Sequence, residues 1–322
     1  MKKNKLLRRL TAALLAAVLT LSIALPVFAS DDSDTIYINS VSDLLSLAKS
    51  CAYDQWSVGK TVVLQQDLSL EGMFWAPIPS FSGQFKGNGH TISDLTVSGE
   101  YSPAGLFGIV EEKGSIESLS VRGVVSVSDS ADTTTGGIVG INHGTLISCQ
   151  FTGVVTGDSE VGGIVGYIVS KGETAVDGCI AYGNCRGQHS VGGICGYAKC
   201  NDAACIVDIV NSIYAGREVE ATGNNGSNGY TLATGLVGWL QVGTGKAHIV
   251  NCASRVQTVK TVGKAGGYPS ANNTLSGILG FQNGSPTAAE LYGLYSTIGH
   301  DGFLTDGEPS TSIYCGGIYA KI

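Results

Sequence analysis

Gly-Gly-Ile-Val-Gly stands at Gly136–Gly140 and again at Gly162–Gly166, and returns as Gly-Gly-Ile-Cys-Gly at Gly192–Gly196. Looser copies occupy Ala104–Gly108, Thr234–Gly238, Ser276–Gly280 and Gly316–Ile318. The intervals run from 26 to 42 residues. A phrase returning at such a period marks a chain of stacked units rather than a closed globule. The segments after each phrase also align: Ile116-Glu-Ser-Leu, Leu146-Ile-Ser-Cys, Val176-Asp-Gly-Cys, Ile209-Val-Asn-Ser, Ile249-Val-Asn-Cys and Leu291-Tyr-Gly-Leu. The last position of each forms the column Leu119, Cys149, Cys179, Ser212, Cys252, Leu294. Small and apolar residues throughout are what an inward-facing stack requires, with Cys packing as a small hydrophobe.

Each unit holds short runs with β-branched residues and period-two alternation, as in Gly123-Val-Val-Ser-Val-Ser. No helical period accompanies the repeat, which excludes leucine-rich, ankyrin and tetratricopeptide arrays, and one unit is too short for a four-stranded propeller blade. The remaining architecture is a parallel β-helix, each turn about 4.8 Å above the last. Glycine in the phrase suits a tight corner, where φ turns positive or backbones approach closely. Insertions at Lys199–Ala204, Thr222–Thr231 and Lys264–Asn273 are read as loops. Near the start, Ser40-Val-Ser-Asp43 reads as a capping box, and Leu44, Leu45, Leu47 and Ala48 as the apolar face of a short helix lying over an otherwise raw end.

Residues 1–29 read as a secretory signal peptide: a basic start at Lys2–Arg9, an apolar run to Leu25, and small residues at Val27 and Ala29. Residues 30–99 read as the cap helix and lead-in turns, and 100–322 as the repeats, continuous with them. Five of the 19 Lys and Arg and none of the 26 Asp and Glu lie in the leader, so the remainder is more acidic than the whole-chain charge of −7. That excludes nucleic acid and anionic membrane surfaces as partners, and no membrane association is expected after leader cleavage. Nine cysteines, an odd number, do not suggest a disulfide framework, though Cys200 and Cys205 bracket one loop and are spaced for a local bridge.

The segments Val62–Leu70, Trp75-Ala-Pro-Ile-Pro79 and Phe81–Val97, together with the glycine phrases, resemble the GLUG-repeat proteins, which belong to the pectate-lyase-like right-handed β-helix group. The resemblance covers nearly all of the chain after the leader. It implies an all-β, single-stranded right-handed β-helix with a short N-terminal capping helix. It also implies a secreted or cell-envelope setting in a Gram-positive bacterium, and similarity to the N-terminal repeat region of IgA-cleaving metallopeptidases.

Chemistry is sparse. His90, His143, His189, His248 and His300 form no His-Glu-x-x-His, so no metal site, cofactor or catalytic residue is assigned. Asp129 with Asp132 and Asp158 with Glu160 are the nearest acidic pairs, and read as solvated loop acids. Arg122, Arg186, Arg217 and Arg255 occur near corresponding places and read as a solvated row without paired carboxylates. The column after each phrase, Ile109, Ile141, Tyr167, Tyr197, Trp239, Phe281, places four aromatics on successive turns. It is either a stabilising ladder or, if exposed, a ligand platform, so Tyr167, Tyr197, Trp239 and Phe281 are the ligand-binding candidates. The functional expectation is a non-catalytic, adhesin-like surface for a glycan or a host or envelope protein. The alternatives are a polysaccharide lyase or glycoside hydrolase of the β-helix group, or an accessory part of a larger surface protein.

Overall fold

A computed structural model describes residues 34–53, 55–127, 133–223, 230–262, 272–284, 289–298, 302–306 and 312–317. The leader, Asp129 with Asp132, and most of the insertions at 222–231 and 264–273 lie outside the described residues. Thr35–Ile322 is one structural unit. Among the described residues it is all-β apart from α1 (Val41–Ser50), and the strands form four parallel sheets of nine, six, seven and twelve strands.

One repeat shows the plan. Glu160–Gly162 lies in the six-stranded sheet, Val165–Val169 in the seven-stranded, Glu173–Asp177 in the nine-stranded, and Ile180–Ala181 with Asn184–Gly187 in the twelve-stranded. Each strand pairs in parallel with the corresponding strand of the next repeat: Val161 with Val191, Val165 with Cys195, Val176 with Ile209, Ile180 with Ile213. Insertions do not disturb this register, because they fall between strands. The loop between Cys200 and Ile206 leaves both flanking strands paired to the repeats on either side. Tyr230–Thr231 and Asn272–Asn273, read as loop in the sequence, are the first residues of strands.

The glycine phrase is the corner between the six- and seven-stranded sheets. It works by close approach, and positive φ plays no part. A Cβ at Gly162 would stand 2.0 Å from the Val165 carbonyl oxygen, and one at Gly163 would stand 2.2 Å from the Gly193 carbonyl oxygen. The Ile that follows, Ile138, Ile164 and Ile194, fills the core. Left-handed backbone is used at a different corner, between the nine- and twelve-stranded sheets. Ser118, Ser148, Gly178, Asn211, Asn251 and Gly293 stack there with φ between 51° and 65°.

The inward column follows directly after that corner and is buried from Leu119 to Cys252, with Leu294 partly buried. Its members do more than fill space. Cys149 Sγ donates to the carbonyls of Ile116 and Ile147 at 3.4 Å, Ser212 Oγ to Val176 and Val210 at 3.3 and 2.9 Å, and Cys252 Sγ to Ile209 and Val250 at 3.3 Å. Ser and Cys exchange in this column because either can donate to the same two carbonyls.

α1 packs against the first strands of the nine- and seven-stranded sheets, Thr35–Ile38 and Ile78–Phe81, and buries Leu44 and Leu47 there. Leu45, expected on the apolar face, is 42% exposed. Ser40 caps the helix by accepting from the Asp43 N–H at 3.2 Å. Asp43 answers chiefly to the Asn39 N–H at 2.9 Å, one residue earlier than a standard capping box, and less strongly to that of Ser40.

Candidate functional site

The outer face of the seven-stranded sheet carries the aromatic column in strict register: Ile109, Ile141, Tyr167, Tyr197, Trp239 and Phe281 are successive partners. Alternation along each strand turns these residues outward while their neighbours, Ile168, Ala198 and Leu240, enter the core. Tyr167 and Tyr197 stack with centroids 4.8 Å apart and planes 10° apart, and Tyr197 and Trp239 with centroids 4.9 Å apart and planes 24° apart. Phe281 holds its register position, and its side chain lies outside the described residues.

The spacing is that of neighbouring strands, so the rings lie face against face along the stack. Tyr197 spends both faces on its ring neighbours, and stacking along the sheet turns ring edges rather than faces outward. An aromatic edge is the positive rim of the ring's quadrupole. All three rings are partly buried. Burial pushes both tyrosine hydroxyls up, that of Tyr197 to about 12, so they are neutral donors at physiological pH.

Polar groups flank the rings. The Tyr197 hydroxyl donates to Gln241 Oε1 of the next repeat. Lys199 and Gln241 are register partners two residues beyond the rings, on the same outward face. On the other flank, the Glu160 charge reaches both tyrosines, and its carboxylate accepts from Thr134 Oγ1 at 3.1 Å. The arrangement is a rim of ring edges with donors and an acceptor at hand. Its charged members among the described residues are Lys199 on one flank and Glu160 on the other.

The other sequence candidates are dispersed. Asp158 is 3% exposed, with its N–H held by Thr133 Oγ1 at 2.9 Å. His90 meets Asp67 at 3.2 Å and His248 meets Asp208 at 2.6 Å, both as ties between repeats. His143 contacts the Val169 carbonyl at 2.6 Å and His189 the Ser159 hydroxyl at 3.4 Å. His300 lies outside the described residues. Among the described residues no group of three or more His, Cys, Asp or Glu is arranged to hold a metal ion.

The arginines do not form one row. Arg122 is level with Thr152, whereas Arg186 is level with Thr156 and Glu220. Nor is Arg186 without a carboxylate. Glu220, with an 8% exposed side chain, lies between Arg186 Nε at 3.4 Å and Lys260 Nζ at 3.5 Å. This three-repeat ion ladder is hidden in the sequence because its members are 34 and 40 residues apart and meet only once the insertions are discounted. Cys200 and Cys205 are free thiols, as are Cys51, Cys185 and Cys195.

No family model matches this chain. It is 30% identical over 142 residues to halomucin of Haloquadratum walsbyi, a match that covers 40% of this chain and 2% of halomucin. Its structure resembles that of a candidate immunoglobulin A1 protease from Bacteroides ovatus, with a TM-score of 0.61, 18% identity, and coverage of 88% of this chain and 83% of the other. At that identity the likeness speaks for the fold alone. Among the described residues no helix is long and apolar enough to cross a membrane.

Proposed function

We propose that this protein is a secreted or cell-surface right-handed β-helix of the GLUG-repeat kind, and that it presents a binding surface without catalysing a reaction itself. The carrying observation is the register-locked ladder Tyr167–Tyr197–Trp239, whose edges and hydroxyls line one outward face beside Lys199, Gln241 and Glu160. A flat sheet face bearing a line of hydrogen-bonding groups suits an extended polymer, and ring edges with neutral donors suit its oxygen acceptors. A glycan fits that description better than a protein helix, which would need an apolar groove. The basic and apolar leader supports export. Halomucin, a mucin by name, is in keeping with an extracellular setting.

The test is retention of the protein, without its leader, on a panel of immobilised plant, host and bacterial polysaccharides, with newly released chain ends assayed in parallel. The reading expects retention by at least one polymer with no release of ends. Lys199→Ala with Gln241→Ala should weaken retention about tenfold, equivalent to about 1.4 kcal/mol, while Trp239→Ala should abolish it. Release of chain ends, or retention indifferent to all three substitutions, would overturn the reading.

A further inference from the structure

The corner between the seven- and nine-stranded sheets is short in one repeat and long in the next. In the first, Lys171 alone separates Ser170 from Gly172, and Ser170 Oγ closes the corner by donating to the Gly172 carbonyl at 2.6 Å. In the next, four residues, Asn201–Ala204, stand between Cys200 and Cys205. Yet the register is unbroken. Val169 pairs with Lys199 and Glu173 with Ile206, so Cys200 stands level with Ser170 and Cys205 with Gly172. The same closing hydrogen bond is kept: Cys200 Sγ donates to the Cys205 carbonyl at 3.1 Å.

Both ends of this insertion are pinned to the repeats on either side. Gly243 N–H donates to the Cys200 carbonyl at 2.9 Å, and Lys246 N–H to the Cys205 carbonyl at 3.0 Å. On the other side, Cys205 Sγ donates to the Ser170 carbonyl at 3.0 Å. Within the loop, Cys205 N–H turns back to the Asp202 carbonyl at 2.9 Å. The two thiols are buried, while Asp202, Ala203 and Ala204 above them are exposed. Cys149 and Cys179 are also neighbours, but they belong to successive repeats of the inward column and no inserted loop joins them.

We propose that Cys200 and Cys205 form an intraloop disulfide on exposure to a small-molecule disulfide, closing the insertion across its own two ends in place of the Cys200 Sγ hydrogen bond that closes it at rest. The Cys200 thiolate attacks one sulfur of, for example, oxidised glutathione and releases one glutathione thiolate. The Cys205 thiolate then attacks the mixed disulfide at Cys200 and releases the second. Two protein thiols and one glutathione disulfide become one protein disulfide and two glutathione molecules. Attack requires the exposed loop to open, since the thiols are covered at rest. The thiolate is the attacking species, so the reaction quickens in mild alkali.

The folded protein is incubated with oxidised glutathione, unfolded without reductant, alkylated and digested with trypsin. Both cysteines fall on the peptide Cys200–Arg217. The expected product is that peptide two hydrogens lighter than its dithiol form and free of alkyl groups, with Cys149, Cys179, Cys185, Cys195 and Cys252 alkylated. In Cys200→Ser, which restores the residue type of Ser170, Cys205 should be fully alkylated. A doubly alkylated Cys200–Arg217 peptide, one stably carrying glutathione, or one bridged to another peptide would overturn the proposal.

Discussion

A methyl group at Gly163 would stand 2.2 Å from one carbonyl oxygen and 2.8 Å from the Cβ of Ala181, with backbone on one side and packed core on the other. Neither neighbour can retreat without moving a repeat. Gly163→Ala should therefore cost about 3 kcal/mol or more in denaturant unfolding, at the upper end of overpacking penalties. At the other corner the sign reverses. Ser148 sits at φ 53°, which costs a non-glycine residue roughly 1–2 kcal/mol. Ser148→Gly should gain about 0.5–1 kcal/mol after the entropy that glycine loses on folding. The two substitutions separate the two uses of small residues here. This is also where the sequence was legible only in part. The phrase is visible because steric exclusion admits glycine alone. The left-handed column is not, because Ser, Asn and Gly share it and no single residue type repeats.

At the scale of elements, three carboxylates tie α1 and the first strands to their neighbours. The carboxyls of Asp43, Asp67 and Asp94 are all held below the usual value of 3.8: Asp43 by the Asn39 N–H and then Ser40, Asp67 by the Thr91 N–H and then His90, and Asp94 by the hydroxyls of Ser69 and Ser93. A depressed folded pKa gives stability that is present above the unfolded value and lost as pH falls through the folded one. Acid should therefore loosen α1 and the lead-in strands first, below about pH 3.8. Trp56, which lies under the Lys60 ammonium in this region, reports the change by fluorescence. Its transition should precede loss of the far-ultraviolet β signal, and coincident transitions would count against a separately acid-labile cap. Ser40→Ala should cost about 1 kcal/mol by removing the cap acceptor. In the twelve-stranded sheet, Glu220→Gln removes the charge shared by Arg186 and Lys260. It should lower the thermal midpoint more at low ionic strength than at high, since salt already screens the exposed part of the ladder.

At the scale of the molecule, repeats of unequal length hold one register because strands and corners are constant and only the connections lengthen. The aromatic column was legible for the same reason: its place is counted from the glycine phrase and not along the chain. Its use was less legible. Exposure and ring orientation arise from stacking between repeats, which sequence spacing does not encode, and it is stacking that turns edges rather than faces outward. The ion ladder of Arg186, Glu220 and Lys260 was hidden behind the same insertions. Tyr197 and Trp239, 42 residues apart, are ring neighbours only if successive repeats stack in this register. Proton cross-relaxation between the Trp239 indole and tyrosine rings measures this directly. The predicted result is strong cross-peaks from Trp239 to one tyrosine ring, absent in Tyr197→Ala and retained in Tyr182→Ala. A Trp239 indole with no tyrosine ring in contact would contradict the stacking of the repeats and the surface built on it.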